Sequence, residues 1–212
     1  MSTNSLVPPA DSPRRGRPRD ATVRQRVLAA AVEIAAEDPA LATFDRIAAA
    51  AGVSRTTLYR WWPGPRDLVL EALMESTRWS LAHDDGNARA RITAQVADLV
   101  TIMTHEPTAR MVRFLAGGSV VDQGARDRFA AHWLAPRHDA AAAILTAAIE
   151  AGQVRADTPV DVTIDLLFAP VYRRALLTSA PLDAGYADAV VDVIWRAIES
   201  PQHLEPGHSA EG

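Results

Sequence analysis

The chain has 212 residues, of which 48% are hydrophobic and none is cysteine, so it can bury a core but cannot form disulfides or thiolate metal sites. Its formal net charge of −4 argues against nucleic-acid binding if taken alone. The charge is unevenly distributed, however. Residues 1–66 hold ten arginines and six acidic residues, while residues 67–212 hold twelve arginines and twenty acidic residues. A region of charge +4 followed by one of −8 directs the first part of the chain toward a polyanion.

The two ends of the chain are too polar to bury a core. Residues 1–19, with four prolines and a cluster of arginines, predict a disordered basic arm, and residues 201–212 predict a disordered tail. The arm is either a solvated tail or a segment that inserts arginine into a DNA minor groove. No apolar run suits a signal peptide or a membrane span of about 18 residues, so we expect a soluble cytoplasmic protein. The arginines of the arm are Arg14, Arg15, Arg17 and Arg19.

Between these ends, apolar residues recur with the period of a helix, and no segment of useful length alternates as a strand does. Thr43 and Ser54 are suited to cap helices, Gly52 to break one, and Pro65 to begin one. We therefore predict an all-α protein of about nine helices. The predicted helical segments are 21–37, 44–51, 55–61, 65–83, 88–104, 107–116, 123–134, 137–151, 159–179 and 183–199.

The most informative segment is residues 44–62, which read FDRIAAAAGVSRTTLYRWW. Two short helices separated by a glycine turn can cross steeply, as in a helix-turn-helix. With Leu58 turned to the core, the second helix exposes arginine and threonine, which read base edges, and the Tyr59 phenol, which suits a phosphate oxygen. The alternative is a helical bundle that does not bind DNA and merely carries arginine on its solvent-exposed face. The motif therefore favours a helix-turn-helix DNA-binding domain at residues 20–66.

Residues 16–75 resemble the DNA-binding domain of TetR-family transcription regulators, through GRPR, IAAAAGVSRTTLYRWW and RDLVLEAL. The resemblance implies a homodimer with the third helix of each subunit in the major groove. Trp62 occupies the place of an aromatic residue that packs under the recognition helix. Pro65 stands where many members have a phosphate-binding lysine, for which Arg66 would compensate, and Trp61 stands where His, Tyr or Arg is common. The resemblance implies phosphate contacts by Thr43, Ser54, Thr57 and Tyr59, with Trp61 as a further donor, and base contacts by Arg55, Thr56 and Arg60.

Residues 67–200 are predicted to form a larger helical domain for ligand binding and dimerisation. The stretch AIEAGQVRADTPVDVTIDLLFAPVYRRALL resembles the regulatory domain of the same family, in which the last two helices pair with those of a partner. Their apolar faces are the candidate dimer interface, with ordinary core packing as the alternative. The candidate interface residues are Leu166, Leu167, Val171, Leu176, Val190, Val193, Ile194 and Ile198.

A small apolar or amphipathic effector would occupy a cavity among the large side chains of this domain. Such side chains more often belong to a packed core. The candidate lining residues are Trp79, Met103, Met111, Phe114, Phe129, Trp133, Phe168 and Tyr172.

Three function classes remain to be compared. The first is a ligand-responsive repressor of a palindromic operator, and the second is a ligand-independent regulator or activator with the same DNA-binding fold. The third is a helical enzyme, which we do not expect because no catalytic constellation or phosphate loop is present. His132 and His138 alone are too few for a metal site, so we expect no metal or cofactor. Double-stranded DNA and a second copy of the chain are the expected partners.

Overall fold

The computed structural model describes residues 19–77, 87–178 and 180–200, and nearly all of them are helical. Within these ranges there is no β-strand, only an isolated bridge between Val154 and Glu199, so the all-α prediction is confirmed. No helix among the described residues is long and apolar enough to cross a membrane. The helices are α1 (Arg19–Glu37), α2 (Phe44–Ala51), α3 (Arg55–Trp61), α4 (Pro65–Ser76), α5 (Ala88–Thr104), α6 (Glu106–Val121), α7 (Gln123–Phe129), α8 (Ala135–Glu150), α9 (Val160–Leu177) and α10 (Ala184–Ile198), with a short 3₁₀ turn at Pro39–Leu41.

The observed bounds of α2, α3 and α5 agree with the predicted ones. Helix α1 begins at Arg19, so the last residue of the predicted disordered arm is helical, while the rest of that arm lies outside the described residues. The predicted tail at 201–212 and the end of the predicted helix at 65–83 also lie outside them. Helix α6 extends to Val121 because its two adjacent glycines do not end it.

The predicted break around Pro136 is wrong, because α7 and α8 are joined by a π-helical turn at Ala130–Leu134. In this turn the backbone N–H of Ala135 donates to the carbonyl of Ala130, five residues back. A π turn widens the helix locally and lets it continue with a shifted hydrogen-bond register. With this merger the described chain has nine continuous helices.

Helices α1, α2 and α3 form a small unit, here called the head. Its core contains Val27, Ile47 and Leu58, none of which has any exposed surface. The predicted caps are present: Thr43 Oγ1 accepts from the N–H of Arg46 at 3.4 Å, and Ser54 Oγ accepts from the N–H of Thr57 at 3.2 Å. The predicted glycine turn is also present, because Gly52 has φ +64°.

Helices α5 to α10 form the larger unit, here called the body. Helix α5 lies at its centre and packs against α8, α9 and α10. Ile92, Val96 and Leu99 on α5 are fully buried, as is Trp133 in the π turn. At the surface, Arg89 of α5 pairs with Asp192 of α10.

Helix α4 joins the head to the body, and polar contacts reinforce this joint. Asp67 of α4 pairs with Arg128 of α7. Arg66 stacks on the ring of Phe114, with 5.1 Å between the guanidinium carbon and the ring centroid. Arg110 of α6 donates to the last carbonyls of α1, including that of Ala36 at 3.1 Å. The orientation of the head therefore depends on contacts that only tertiary folding can form.

Replacing Gly52 by alanine should destabilise the protein by about 1–2 kcal/mol, because Cβ disfavours the left-handed backbone of this turn. Gly117→Ala is the matched control, since a Cβ meets no atom within 4 Å at either position and Gly117 lies inside α6. The control should stabilise by about 0.5–1 kcal/mol. Thermal unfolding checks both, with shifts of about 2–4 °C per kcal/mol. Equal shifts in the same direction would contradict the role given to Gly52.

Candidate DNA interface and cavities

Helix α3 presents one buried and one fully polar face. Leu58 has no exposed surface and anchors the helix to the head. Arg55, Thr56 and Arg60 are exposed on the remaining surface of the helix, together with Tyr59, which is 65% exposed. The Tyr59 ring stands edge-on to Phe44, with 4.8 Å between ring centroids. The residues predicted to read bases are therefore brought together on one accessible surface.

The hydroxyl residues predicted to contact phosphate lie at the N-termini of α2 and α3. Ser54 and Thr57 are linked by their side chains, whose oxygens are 3.0 Å apart. Thr43 and Ser54 use a lone pair to accept from the backbone, and a hydroxyl that accepts can still donate. N-terminal hydroxyls and backbone N–H groups suit a phosphate oxygen.

Sequence reasoning missed an ion pair on this surface. Arg55 Nη1 lies 2.8 Å from Asp45 Oδ1, and both side chains are more than 60% exposed. The two residues are ten positions apart in the sequence, and no local pattern predicts that they meet. Their contact depends on how α2 and α3 cross. Exposed pairs of this kind contribute little to stability, so Arg55 can exchange Asp45 for another acceptor.

Residues at the end of α3 and at the start of α4 contact other side chains of the protein. Trp62 is 4% exposed, and its indole N–H donates to Glu71 Oε2 at 2.9 Å. Glu71 Oε1 in turn lies 2.5 Å from Arg24 of α1.

Trp61 is half-buried, and the Arg60 guanidinium lies over its ring. Arg66, the residue suggested for a phosphate contact, stacks on Phe114 in this DNA-free structure.

The predicted dimer residues are only partly accessible. Leu167, Val171 and Ile198 are buried within the subunit and so offer little surface to a partner. The helical period placed them on an apolar face but could not distinguish the inner face of α9 from the outer one. The predicted residues that retain exposed surface are Leu166, Leu176, Val190, Val193 and Ile194, and α9 also exposes Val162 and Leu177.

The predicted ligand residues mostly fill the core of the body. Trp79 lies outside the described residues. Phe168 and Tyr172 line a cavity of about 210 Å³ between α8 and α9. A larger cleft of about 500 Å³ lies at the joint, between α4 and the π turn, and none of the predicted ligand residues lines it. The remaining candidates, buried or half-buried, are Met103, Met111, Phe114, Phe129 and Trp133.

Two family models match this arrangement. Residues 27–72 match the model of bacterial regulatory proteins of the tetR family, and residues 82–194 match that of the tetracyclin repressor-like C-terminal domain. The chain belongs to the TetR family. It is therefore a DNA-binding transcription regulator with a helix-turn-helix head, as the sequence resemblance predicted.

Similar proteins agree with this assignment. The chain is 27% identical over 194 residues to the uncharacterized HTH-type transcriptional regulator YdeS of Bacillus subtilis (strain 168), covering 91% of this chain and 98% of that one. The TetR family transcription regulator SCO0332 is 35% identical with a TM-score of 0.72, over 82% of this chain and 97% of that one. The regulator FadR of Bacillus subtilis, solved in complex with stearoyl-CoA, shares the fold at 15% identity and a TM-score of 0.66, over 82% and 99% of the two chains.

Replacing Asp45 by asparagine should raise affinity for operator and random DNA alike, severalfold at low salt, because it releases Arg55 and removes a negative charge beside the DNA-facing surface. Asp157→Asn is the matched control, since Asp157 forms a similarly exposed pair with Arg155 in the body. The control should leave DNA affinity unchanged. Fluorescence anisotropy over a range of salt concentrations measures both. An Asp45 variant with unaltered affinity would show that this pair does not limit binding.

Proposed function

We propose that this regulator is a repressor that binds a palindromic operator as a homodimer and leaves it when a small apolar or amphipathic effector binds. The observation that carries the DNA part is the polar outer face of α3, held by the fully buried Leu58. One seven-residue helix reads few base pairs, and two-fold symmetry doubles the contacts.

In the proposed complex, Arg55 and Arg60 read guanine edges and Thr56 contacts a thymine methyl. Phosphates are bound around them by hydroxyl and indole donors and set the register of the dimer on the duplex. The arm that precedes α1 enters the adjacent minor groove. The proposed phosphate contacts are Thr43, Ser54, Thr57, Tyr59, Trp61 and Arg66, and the proposed arm contacts are Arg14, Arg15, Arg17 and Arg19.

The proposed dimer interface is the outer face of α9 and α10. Leu166 is 54% exposed and Val193 is 69% exposed, although both lie on helices whose other faces are buried. Exposed apolar residues on two adjacent helices favour a self-complementary helical interface.

The proposed effector acts through the joint. Asp67–Arg128 and Arg66–Phe114 connect α4 to the body, and the cleft of about 500 Å³ beside α4 leaves room for this helix to move. The distant FadR of the same fold was solved with stearoyl-CoA, which supports a ligand-responsive body here. A coupling of about 1–3 kcal/mol is enough to lower operator affinity between several-fold and a hundred-fold.

Selection of bound sequences from random DNA by the purified protein tests the proposal. We expect a palindrome whose half-sites lie one helical turn, about 34–36 Å, apart. A reporter gene placed behind the selected sequence should be expressed less when the regulator is present. Enrichment of no symmetric sequence, or increased reporter expression, would contradict the proposed operator or the repressor role.

Arg55→Ala should lower the ratio of operator to random-DNA affinity by about 1–3 kcal/mol, because an arginine–guanine pair discriminates between bases. Tyr59→Phe should instead weaken binding to all sequences alike, because only a phosphate donor is lost. Competition titrations with operator and random duplexes measure the ratio. An Arg55 variant with an unaltered ratio would remove Arg55 from the base-reading residues.

Val193→Asp should raise the dimer dissociation constant at least about tenfold, because the interface would bury an unpaired carboxylate. Val121→Asp is the matched control, since Val121 is 82% exposed but lies on α6. Sedimentation velocity at micromolar concentration measures both variants. If Val121→Asp dissociates the dimer and Val193→Asp does not, the interface lies elsewhere.

A further inference from the structure

An arginine is buried in the core of the body. Arg137 of α8 is only 3% exposed, and its guanidinium lies 3.6 Å from the centroid of the Trp133 ring. Its Nη1 donates to the Trp133 carbonyl at 2.6 Å. Burial lowers the pKa of Arg137 to about 10, so the side chain is still charged at neutral pH. Arginine is seldom buried so deeply, and here the Trp133 carbonyl and Asp98 both interact with its charge.

Further polar groups surround this arginine. The Trp133 indole N–H donates to the Tyr172 hydroxyl at 3.0 Å, and burial raises the pKa of that phenol. Asp98 of α5, which is half-buried, offsets part of the charge of Arg137. Gln95 lies one turn before Asp98 and is fully buried, and neither atom of its amide has a hydrogen-bond partner among the described residues.

The cavity of about 210 Å³ lies beside this cluster, and Arg137 and Tyr172 line one side of it. Ile164 and Phe168 of α9 line another side and are almost fully buried. His138 and the exposed Asp165 complete the polar part of the lining, so the cavity combines a buried cation and a hydroxyl with apolar walls and one exposed carboxylate. This is the pattern of a site for a small molecule with one anionic end.

We propose that this cavity binds a small apolar carboxylic acid, with its carboxylate on Arg137 and the Tyr172 hydroxyl and its apolar part against Ile164 and Phe168. The guanidinium fork matches a planar carboxylate, and the hydrogen bonds are strengthened by charge and burial. The acid is the effector of the proposed repressor, so its regulatory role rests on the proposed function.

The same arginine connects the cavity to the joint. The Trp133 carbonyl that Arg137 holds belongs to the π turn at Ala130–Leu134, and this turn follows directly after Arg128, the partner of Asp67 on α4. A carboxylate that draws the guanidinium away from Trp133 alters the support of the π turn. That change reaches α4, and α4 follows the DNA-reading helix in the chain.

The larger cleft at the joint is less suited to select a ligand. Its two carboxylates are already bound, Asp67 by Arg128 and Glu71 by Trp62 and Arg24. The carboxylates of the cleft are thus ion-paired, whereas the smaller cavity is lined by the buried Arg137.

The test compares straight-chain acids from butanoate to decanoate, and benzoate, with their primary amides, by calorimetric titration of the full-length protein. We expect at least one acid to bind, with its amide at least about tenfold weaker because the amide lacks the charge. Arg137→Met should lower the affinity for that acid at least about tenfold. Arg155→Met is the control, because it removes an exposed arginine of the body, and it should leave the affinity unchanged. The proposal would be overturned if no acid binds at millimolar concentration or if acid and amide bind equally. It would also be overturned if Arg137→Met binds the acid with unaltered affinity.

Two further measurements keep the outcome decisive. If Arg137→Met does not fold, Tyr172→Phe takes its place, because this change removes only the hydroxyl. It should lower the affinity for the acid several-fold, and an unaltered affinity would overturn the proposal. Operator binding is then measured with saturating acid. An acid that binds through Arg137 without releasing the operator confirms the site and contradicts the effector-released repressor. Release by neutral or cationic compounds alone supports the repressor and overturns the carboxylate proposal.

Discussion

A helix of seven residues is too short to be stable in water by itself, so α3 depends on the contacts that hold it. Ser54 caps its first turn, and Leu58 anchors its inner face in the core of the head. Trp62, directly after its last residue, is buried with 4% of its surface exposed. The bond from the Trp62 indole to Glu71 then ties this end to α4. The position of the DNA-reading surface is consequently inherited from α4 rather than determined within α3.

Helix α4 transmits position because its links to the body are polar as well as apolar. Leu68 and Leu73 are buried and keep the helix in place, whereas Asp67 and Arg66 meet the body through an ion pair and a stacked ring. Partly exposed ion pairs contribute modestly to stability. The joint therefore fixes the orientation of the head through several contacts of modest individual strength.

Local features were predictable from sequence, and long-range ones were not. The caps Thr43 and Ser54 and the turn at Gly52 each depend on groups within a few residues, and all three occur in the structure. The break expected at Pro136 was wrong, because a π turn continues the helix from α7 into α8. Leu167 was assigned to the dimer surface because periodicity identifies an apolar face but not what covers it.

The sequence by itself determined the helical class, the helix-turn-helix and the identity of the polar residues on α3, because helix period, capping and glycine conformation act over one or two turns. Only the tertiary structure decided that Arg55 meets Asp45, that Arg66 turns to Phe114, and that Arg137 lies in the core beside a cavity. These contacts join residues on different helices, and their formation depends on how the helices cross and rotate. Helix packing angles arise from the summed fit of many side chains, which no local pattern encodes.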